Sequence, residues 1–235
     1  MAKTILVTGA SSGIGHALCD HLLSTTDHRV IGIDRKAQEF FSNQPQYGHF
    51  CCNLLDFDAT QRVIEEIGLG KTSLDVLVNC AGMMPTSLIS KLDPQEALDA
   101  FSLNCVVPLF LAKLLFKALV RSTQPSIINI TSIAADLDIP GEVVYGATKA
   151  ALTHASRSMA TELGRFGISV NCVAPPLVIT PMTAHLTDSQ RQYMHKKQSY
   201  KERVTSKDVA VVIAQLIDGP ATITGSTLYA GGIAR

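Results

Sequence analysis

The chain has 235 residues, 46% of them hydrophobic, and its 20 lysines and arginines balance 20 aspartates and glutamates. That length buries one sizeable core or two small ones, and a net charge of zero argues against general attraction to nucleic acid or to an anionic membrane surface. Six scattered cysteines, with no CxxC or Cys/His ligand spacing, read as reduced core residues of a cytosolic protein, with no disulfide frame and no metal site.

The first apolar run, Thr4–Thr8, reads as a strand and starts so early that no secretory or transit peptide is expected. It leads into Thr8-Gly9-Ala10-Ser11-Ser12-Gly13-Ile14-Gly15, after which apolar residues at 14, 17, 18 and 22 mark one face of a helix. Glycines allow positive φ and let a pyrophosphate approach the backbone. The free N–H groups of a helix start then bind that anion. The spacing is G-x-x-x-G-x-G, unlike the better-known G-x-G-x-x-G, and a plain tight turn is the alternative. The strand before and the helix after favour a dinucleotide site contacted by Gly9, Ser11, Ser12, Gly13, Ile14 and Gly15.

The second run, Val30–Asp34, ends on a carboxylate at the spacing where an adenosine ribose is met. Asp34 accepts hydrogen bonds from both ribose hydroxyls of NAD, whereas a 2′-phosphate would sit beside a like charge. At about 4 Å that repulsion is roughly 1 kcal/mol in water and about 4 at an effective dielectric near 20. NAD is therefore the expected cofactor and NADP the less favoured one, although the neighbouring Arg35 could pair with a phosphate.

Further strands are expected at His49–Cys52, Leu74–Asn79, Ser126–Thr131, Ile168–Val173 and Thr227–Ala230. Helices are expected at Asp58–Ile67, Pro94–Val120, Tyr145–Gly164 and Lys207–Ile217. Little room remains for a helix between Asp34 and Cys51. The greasiest segment, Cys105–Val120, is interrupted by Pro108, Lys113 and Lys117 and reads as too short and too charged to span a bilayer. Lys113, Lys117 and Arg121 mark one wet stripe on it. Residues 181–205 are polar and rich in Gln, His and Lys, either a substrate flap or a solvated helix. Strands alternating with helices imply a single α/β, doubly wound (Rossmann-type) domain over 1–235 with a central parallel sheet of about seven strands.

Tyr145-Gly146-Ala147-Thr148-Lys149 puts a phenol and an ammonium on one helix face. Lowering the phenol pKa from about 10 to about 7 takes roughly 4 kcal/mol of phenolate stabilisation, which a nearby lysine in a water-poor pocket can supply. Tyr145 then exchanges a proton while a nicotinamide exchanges a hydride. Tyr193 and Lys197 share the spacing but lie in the polar flap segment. Ser132, at the carboxyl end of a strand, could donate to the substrate oxygen.

Together these residues resemble the short-chain dehydrogenase/reductase family over essentially the whole chain. The matching residues are the glycine turn (8–15), Asn79-Cys80-Ala81-Gly82, Asn104, Ser132, Tyr145-x-x-x-Lys149 and Asn171-x-Val173-Ala174-Pro175 running to Thr180. The resemblance implies that Ser132 orients the substrate oxygen, Tyr145 is the acid/base, and Lys149 binds the nicotinamide ribose. It further implies that the Asn104 carbonyl holds a water linking Lys149 to solvent. Pro108, four residues on and without an N–H, would leave that carbonyl free in a continuous helix. By the same resemblance, Asn53, Leu54, Asn79, Ala81, Gly82, Pro175, Val178 and Thr180 contact the cofactor. Three positions depart from the family pattern: Cys80 for the second asparagine of Asn-Asn, Pro176 for the glycine of Pro-Gly, and Asn53 for aspartate.

The expected activity is hydride transfer between NAD(H) and a small secondary alcohol or ketone. The alternatives are a 3-oxoacyl-[acyl-carrier-protein] reductase using NADPH, with Lys196, Lys197 and Lys201 toward an acidic carrier, a dihydrodiol dehydrogenase such as 2,3-dihydro-2,3-dihydroxybenzoate dehydrogenase, and a non-catalytic NAD-binding regulator. Met83, Met84, Leu177 and Met182 are candidates for an apolar substrate pocket, with Glu142 and His185 as candidates to approach the substrate. A homotetramer or homodimer is implied by resemblance through the helices Asp99–Val120 and Tyr145–Gly164.

Overall fold

Seven of the apolar runs are strands: Thr4–Thr8 (β1), Arg29–Asp34 (β2), Tyr47–Cys51 (β3), Val76–Asn79 (β4), Ser126–Ile130 (β5), Ser169–Ala174 (β6) and Thr227–Tyr229 (β7). They come from a computed structural model that describes residues 2–37 and 40–234. All pair in parallel, in the order β3-β2-β1-β4-β5-β6-β7. The order reverses between β1 and β4, where open α/β sheets leave a crevice at the strands' carboxyl ends.

The helices are Gly13–Thr25 (α1), Phe57–Glu66 (α2), Pro94–Phe101 (α3), Val107–Val120 (α4), Val143–Leu163 (α5), Asp188–Lys196 (α6) and Ser206–Asp218 (α7). Alternation along β1 divides the core. Ile5 and Val7 pack with Leu18, Leu22, Val209 and Ile213 of α1 and α7, whereas Leu6 packs with Leu111, Leu115 and Leu119 of α4. Both faces of the sheet are thus covered, as a parallel sheet requires, and a one-residue slip of β1 would exchange its two cores.

The single helix expected over 94–120 is interrupted. Residues Ser102–Val106 form a π-helical turn in which the Val107 N–H donates to the Ser102 carbonyl. Pro108 is the physical reason: its ring has no N–H for the Asn104 carbonyl and clashes with an unbroken α-helix, and the wider turn accommodates it. The 27-residue run Pro94–Val120, with mean hydropathy 1.9 over its most apolar 18 residues, is by length and composition long and apolar enough to cross a bilayer, a longer run than the Cys105–Val120 segment that reads as too short. In this fold Leu111, Leu115 and Leu119 face the sheet, while Lys113, Lys117 and Arg121 form the exposed stripe.

Between β2 and β3 the described residues contain no helix. Aromatic packing fills that edge instead: His16 stacks on Phe41 at 5.0 Å, and Phe41 meets Tyr47 edge-on at 5.1 Å. Cys19, Cys52 and Cys172 are buried, but Cys51 is exposed on the edge strand β3, so the core reading fails for that thiol. Residues 181–205 carry α6 and are tied to the chain's end. The Tyr200 N–H donates to the Gly231 carbonyl (2.8 Å), and the Ala234 N–H to the Lys197 carbonyl (2.7 Å).

Candidate active site

The cofactor-side turn is shaped by close approach. Gly9 and Gly13 have φ of 70° and 54°, the left-handed region that favours glycine. A Cβ on Gly15 would lie 2.3 Å from the Gly9 carbonyl oxygen, so α1 could not start this near β1 with any side chain there. Helices α2, α3, α6 and α7 are capped by Asp56, Asp93, Thr187 and Thr205. The Ser12 side chain makes no such bond at α1, which leaves the first N–H groups facing the cleft for an anion.

Asp34 is held at the end of β2. Its two carboxylate oxygens accept from the N–H groups of Ser11 and Lys36, each at 3.3 Å. Across the strand-order reversal, the Thr8 hydroxyl accepts from the N–H groups of Cys80 (3.0 Å) and Ala81 (3.1 Å). This bond pair fixes the β4 exit beside the glycine turn.

The other end of the cleft is built by side chains. Ser132 follows β5, and its Oγ accepts from the Ala134 N–H at 3.1 Å. Lys149 is buried, donates from Nζ to the Ile130 carbonyl at 2.9 Å, and lies 5.8 Å from the centre of the Tyr145 ring. Asn104 is fully buried. Its side chain accepts from the Met83 N–H (2.9 Å) and donates to the Met83 carbonyl (2.8 Å) and the Thr148 hydroxyl (3.0 Å), which joins the π-turn to α5.

Burial dominates the titration of this pair. It pushes the Tyr145 phenol up to about 12, with the Ser132 hydroxyl pulling the other way and Glu142 and Cys80 adding to the rise. Burial also lowers Lys149 to about 8, opposed by nearby thiols. The expectation of a phenol near 7 is therefore not met in the protein alone. The phenolate is desolvated, and the ammonium that would favour it is itself destabilised and turned toward a carbonyl.

A cleft of about 440 Å³ joins the two ends and brings together Gly9, Ser12, Gly13, Ile14, Asp34, Asn53, Leu54, Ala81, Gly82, Ser132, Tyr145, Lys149, Pro175, Val178 and Thr180. Four of the expected cofactor and catalytic residues do not line it, and neither do Glu142 and His185, the candidates to approach the substrate. Ser11 turns its N–H to Asp34, Gly15 is covered by the turn, and Asn104 is buried behind the wall. Asn79 points into the sheet, donating to the Asn129 side chain at 2.7 Å; its side chain is a β4–β5 link in place of the expected cofactor contact. Residues not singled out for the wall include Thr131, Asp99 and Leu103, which carry no motif and reach it through neighbouring elements. Met83 and Met182 line the cleft, whereas Met84 belongs to, and Leu177 packs against, the apolar cluster that contains Tyr145. The Lys197 ammonium sits over the Tyr193 ring at 5.5 Å on α6, and neither residue lines the cleft.

This arrangement fits a dinucleotide: an uncapped helix start behind a glycine turn, a carboxylate at the ribose spacing, and a buried hydroxyl–ammonium pair at the far end. A family model described as short chain dehydrogenase matches residues 3–191. The chain belongs to this family. Its members among curated proteins include the 3-oxoacyl-[acyl-carrier-protein] reductases FabG of Haemophilus influenzae, 31% identical over 98% of this chain and 97% of that one, and of Escherichia coli, 32% identical over 98% and 96%. Similar solved structures include a 4-hydroxyisoleucine dehydrogenase complexed with NADH (TM-score 0.88, 27% identity, 98% of each chain). Another is ElxO with NADP bound (TM-score 0.87, 26% identity, 98% and 97%). This short chain dehydrogenase is accordingly an NAD(P)-dependent oxidoreductase acting on CH–OH groups.

Proposed function

We propose that the chain interconverts a small secondary alcohol and its ketone, with Tyr145 as proton donor and acceptor and Ser132 orienting the substrate oxygen. The observation that carries this reading is the convergence of Ser132, Tyr145 and Lys149 in one cleft wall, at the opposite end from Asp34. The bound nicotinamide supplies or takes the hydride. Lys149 binds the adjoining ribose and holds positive charge beside the phenol; Asn104 braces α5 and, through its carbonyl, a water path to Lys149. Gly9, Ser12, Gly13 and Ile14 hold the pyrophosphate, and Asn53 and Leu54 the adenine. Ala81, Gly82, Pro175, Val178 and Thr180 flank the nicotinamide half.

NAD(H) is our preferred cofactor because both oxygens of Asp34 are oriented by backbone N–H groups, which leaves a carboxylate facing the ribose. Arg35 in the same wall and the NADP-bound neighbour support the phosphorylated dinucleotide as the second choice. Residues 181–205 act as the substrate flap. The exposed Phe101, Val106, Leu109 and Val143 along α3 to α5 support pairing into a homodimer or homotetramer. The free cysteines support a cytoplasmic setting.

The similarity to FabG supports a second reading, reduction of an acyl chain carried on an acidic protein. Against it, Lys201 is committed within the flap, donating to the Gln198 carbonyl at 2.6 Å. A screen of alcohols and ketones with each cofactor, followed as nicotinamide absorbance, tests the proposal. Turnover of small alcohols with NAD supports it, and turnover confined to carrier-bound thioesters with NADPH replaces it by the second reading.

A further inference from the structure

The loop that carries Asp34 and Arg35 is held by side chains of the edge strand β3. Tyr47, His49 and Cys51 share one face of that strand, as alternate residues do. In the parallel register with β2, Gly32 lies opposite His49 and Asp34 opposite Cys51. The His49 ring bridges two groups: Nε2 lies 3.0 Å from the Lys36 carbonyl oxygen, and Nδ1 lies 3.1 Å from the Tyr47 hydroxyl. A carbonyl only accepts, so Nε2 carries a proton, and in the neutral ring Nδ1 accepts from the Tyr47 hydroxyl. The Cys51 thiol donates to the Arg35 carbonyl at 3.3 Å. The Lys36 N–H donates in turn to the Asp34 carboxylate at 3.3 Å.

The sequence provides for this arrangement. Gly32 leaves room for the Tyr47 hydroxyl, since a Cβ there would run into that oxygen and into the Ala10 side chain of the glycine turn. The Tyr47 ring is also packed edge-on against Phe41. Among the described residues between β2 and β3 no helix follows the loop. The bonds from His49 and Cys51 therefore tie down peptide carbonyls that the hydrogen bonds of a following helix would otherwise hold. Asp34 and Arg35 line the cleft, whereas Tyr47, His49 and Cys51 stand outside it.

We propose that His49, oriented by Tyr47, is a positioning residue for dinucleotide choice. It fixes the Lys36 peptide so that Asp34, and not Arg35, meets the 2′ position of the adenosine ribose. The role deepens the NAD(H) reading and rests on Asp34 facing that ribose.

The test is the ratio of the Kd for NADPH to the Kd for NADH, followed by nicotinamide fluorescence, which needs no substrate. His49→Leu lowers the ratio by about 3- to 10-fold, the worth of one net hydrogen bond. His49→Gln, whose amide N–H takes the place of Nε2–H, restores it to within about 1.5-fold of wild type. Tyr47→Phe keeps the ring but frees Nδ1 and lowers the ratio less; it decides the case where the leucine variant does not fold. Beside Asp34→Ala, His49→Leu has no further effect. A ratio unchanged in His49→Leu and Tyr47→Phe, a loss that glutamine does not rescue, or a loss that persists beside Asp34→Ala overturns the assignment. Each of these leaves the ribose reading standing as long as Asp34→Ala alone shifts the ratio. An Asp34→Ala ratio equal to wild type removes the ribose reading, and the role of His49 falls with it.

Discussion

At the Asp34 end of the cleft the contacts are made largely by backbone: the glycine turn, the open start of α1, and N–H groups that hold the Asp34 carboxylate. At the Tyr145 end they are made by side chains from β5, the π-turn, α5 and the flap. The first end needs a few glycines at fixed spacing and one carboxylate, Asp34, acting through position along the chain. The second depends on burial and on partners far apart in sequence. A change at one end should therefore leave the other end's readout intact.

The largest expected effect is at the side-chain end. Tyr145→Phe lowers kcat by about 10²- to 10⁴-fold, while the Kd for NADH, followed by nicotinamide fluorescence, stays at the wild-type value. A parallel loss of cofactor binding would merge the two ends into one. At the other end, Asp34→Ala removes the charge opposing a 2′-phosphate, worth roughly 1 to 4 kcal/mol. The ratio of kcat/KM for NADH over NADPH falls accordingly, by about 5- to 1,000-fold, with the alcohol's KM unaffected.

Glu142 supplies a pH signature of the enclosed end. Its folded pKa is raised from 4.5 to about 7 by burial, so the folded chain holds a proton that the unfolded chain releases. Stability from this group is fullest below about pH 4.5 and declines as pH rises through 7, by at most about 3 kcal/mol. Urea midpoints of Glu142→Gln against pH should be flatter than wild type across that window. An unchanged profile would mean that this carboxyl is solvated. The smallest effect concerns the strand junction: Thr8→Val strands the Cys80 and Ala81 N–H groups. It weakens cofactor binding or lowers stability by about 1–2 kcal/mol, with kcat largely spared.

The sequence disclosed the backbone end well, because Gly9, Gly13 and Asp34 act through position along one strand–turn–helix unit. All seven strands were legible as short apolar or β-branched runs, most of them set between helical patterns. Three features were not. Asn79 looks like a cofactor contact by motif, yet its side chain joins Asn129, a partner 50 residues on in the sequence. The break at Ser102–Val106 follows from Pro108, but helix spacing does not distinguish a kink from a π-turn, and the Asn104 side chain within it bonds Thr148, a partner 44 residues on. The Tyr145 phenol was expected to be made more acidic by Lys149. Helix spacing gives their proximity, but the burial that raises the phenol pKa comes from tertiary packing, in a cluster that includes Leu186 and Met194 from residues 181–205.

The two backbone bonds between residues 197–200 and 231–234 make the flap and the tail of the chain one mechanical unit. Lifting the stretch after α6 either breaks both bonds or drags the tail along, and Gly231 and Gly232, consecutive residues with φ of 89° and 69°, provide the swivel. Crosslinking the tail to the body of the protein would therefore restrain the stretch after α6 without touching any residue that lines the cleft.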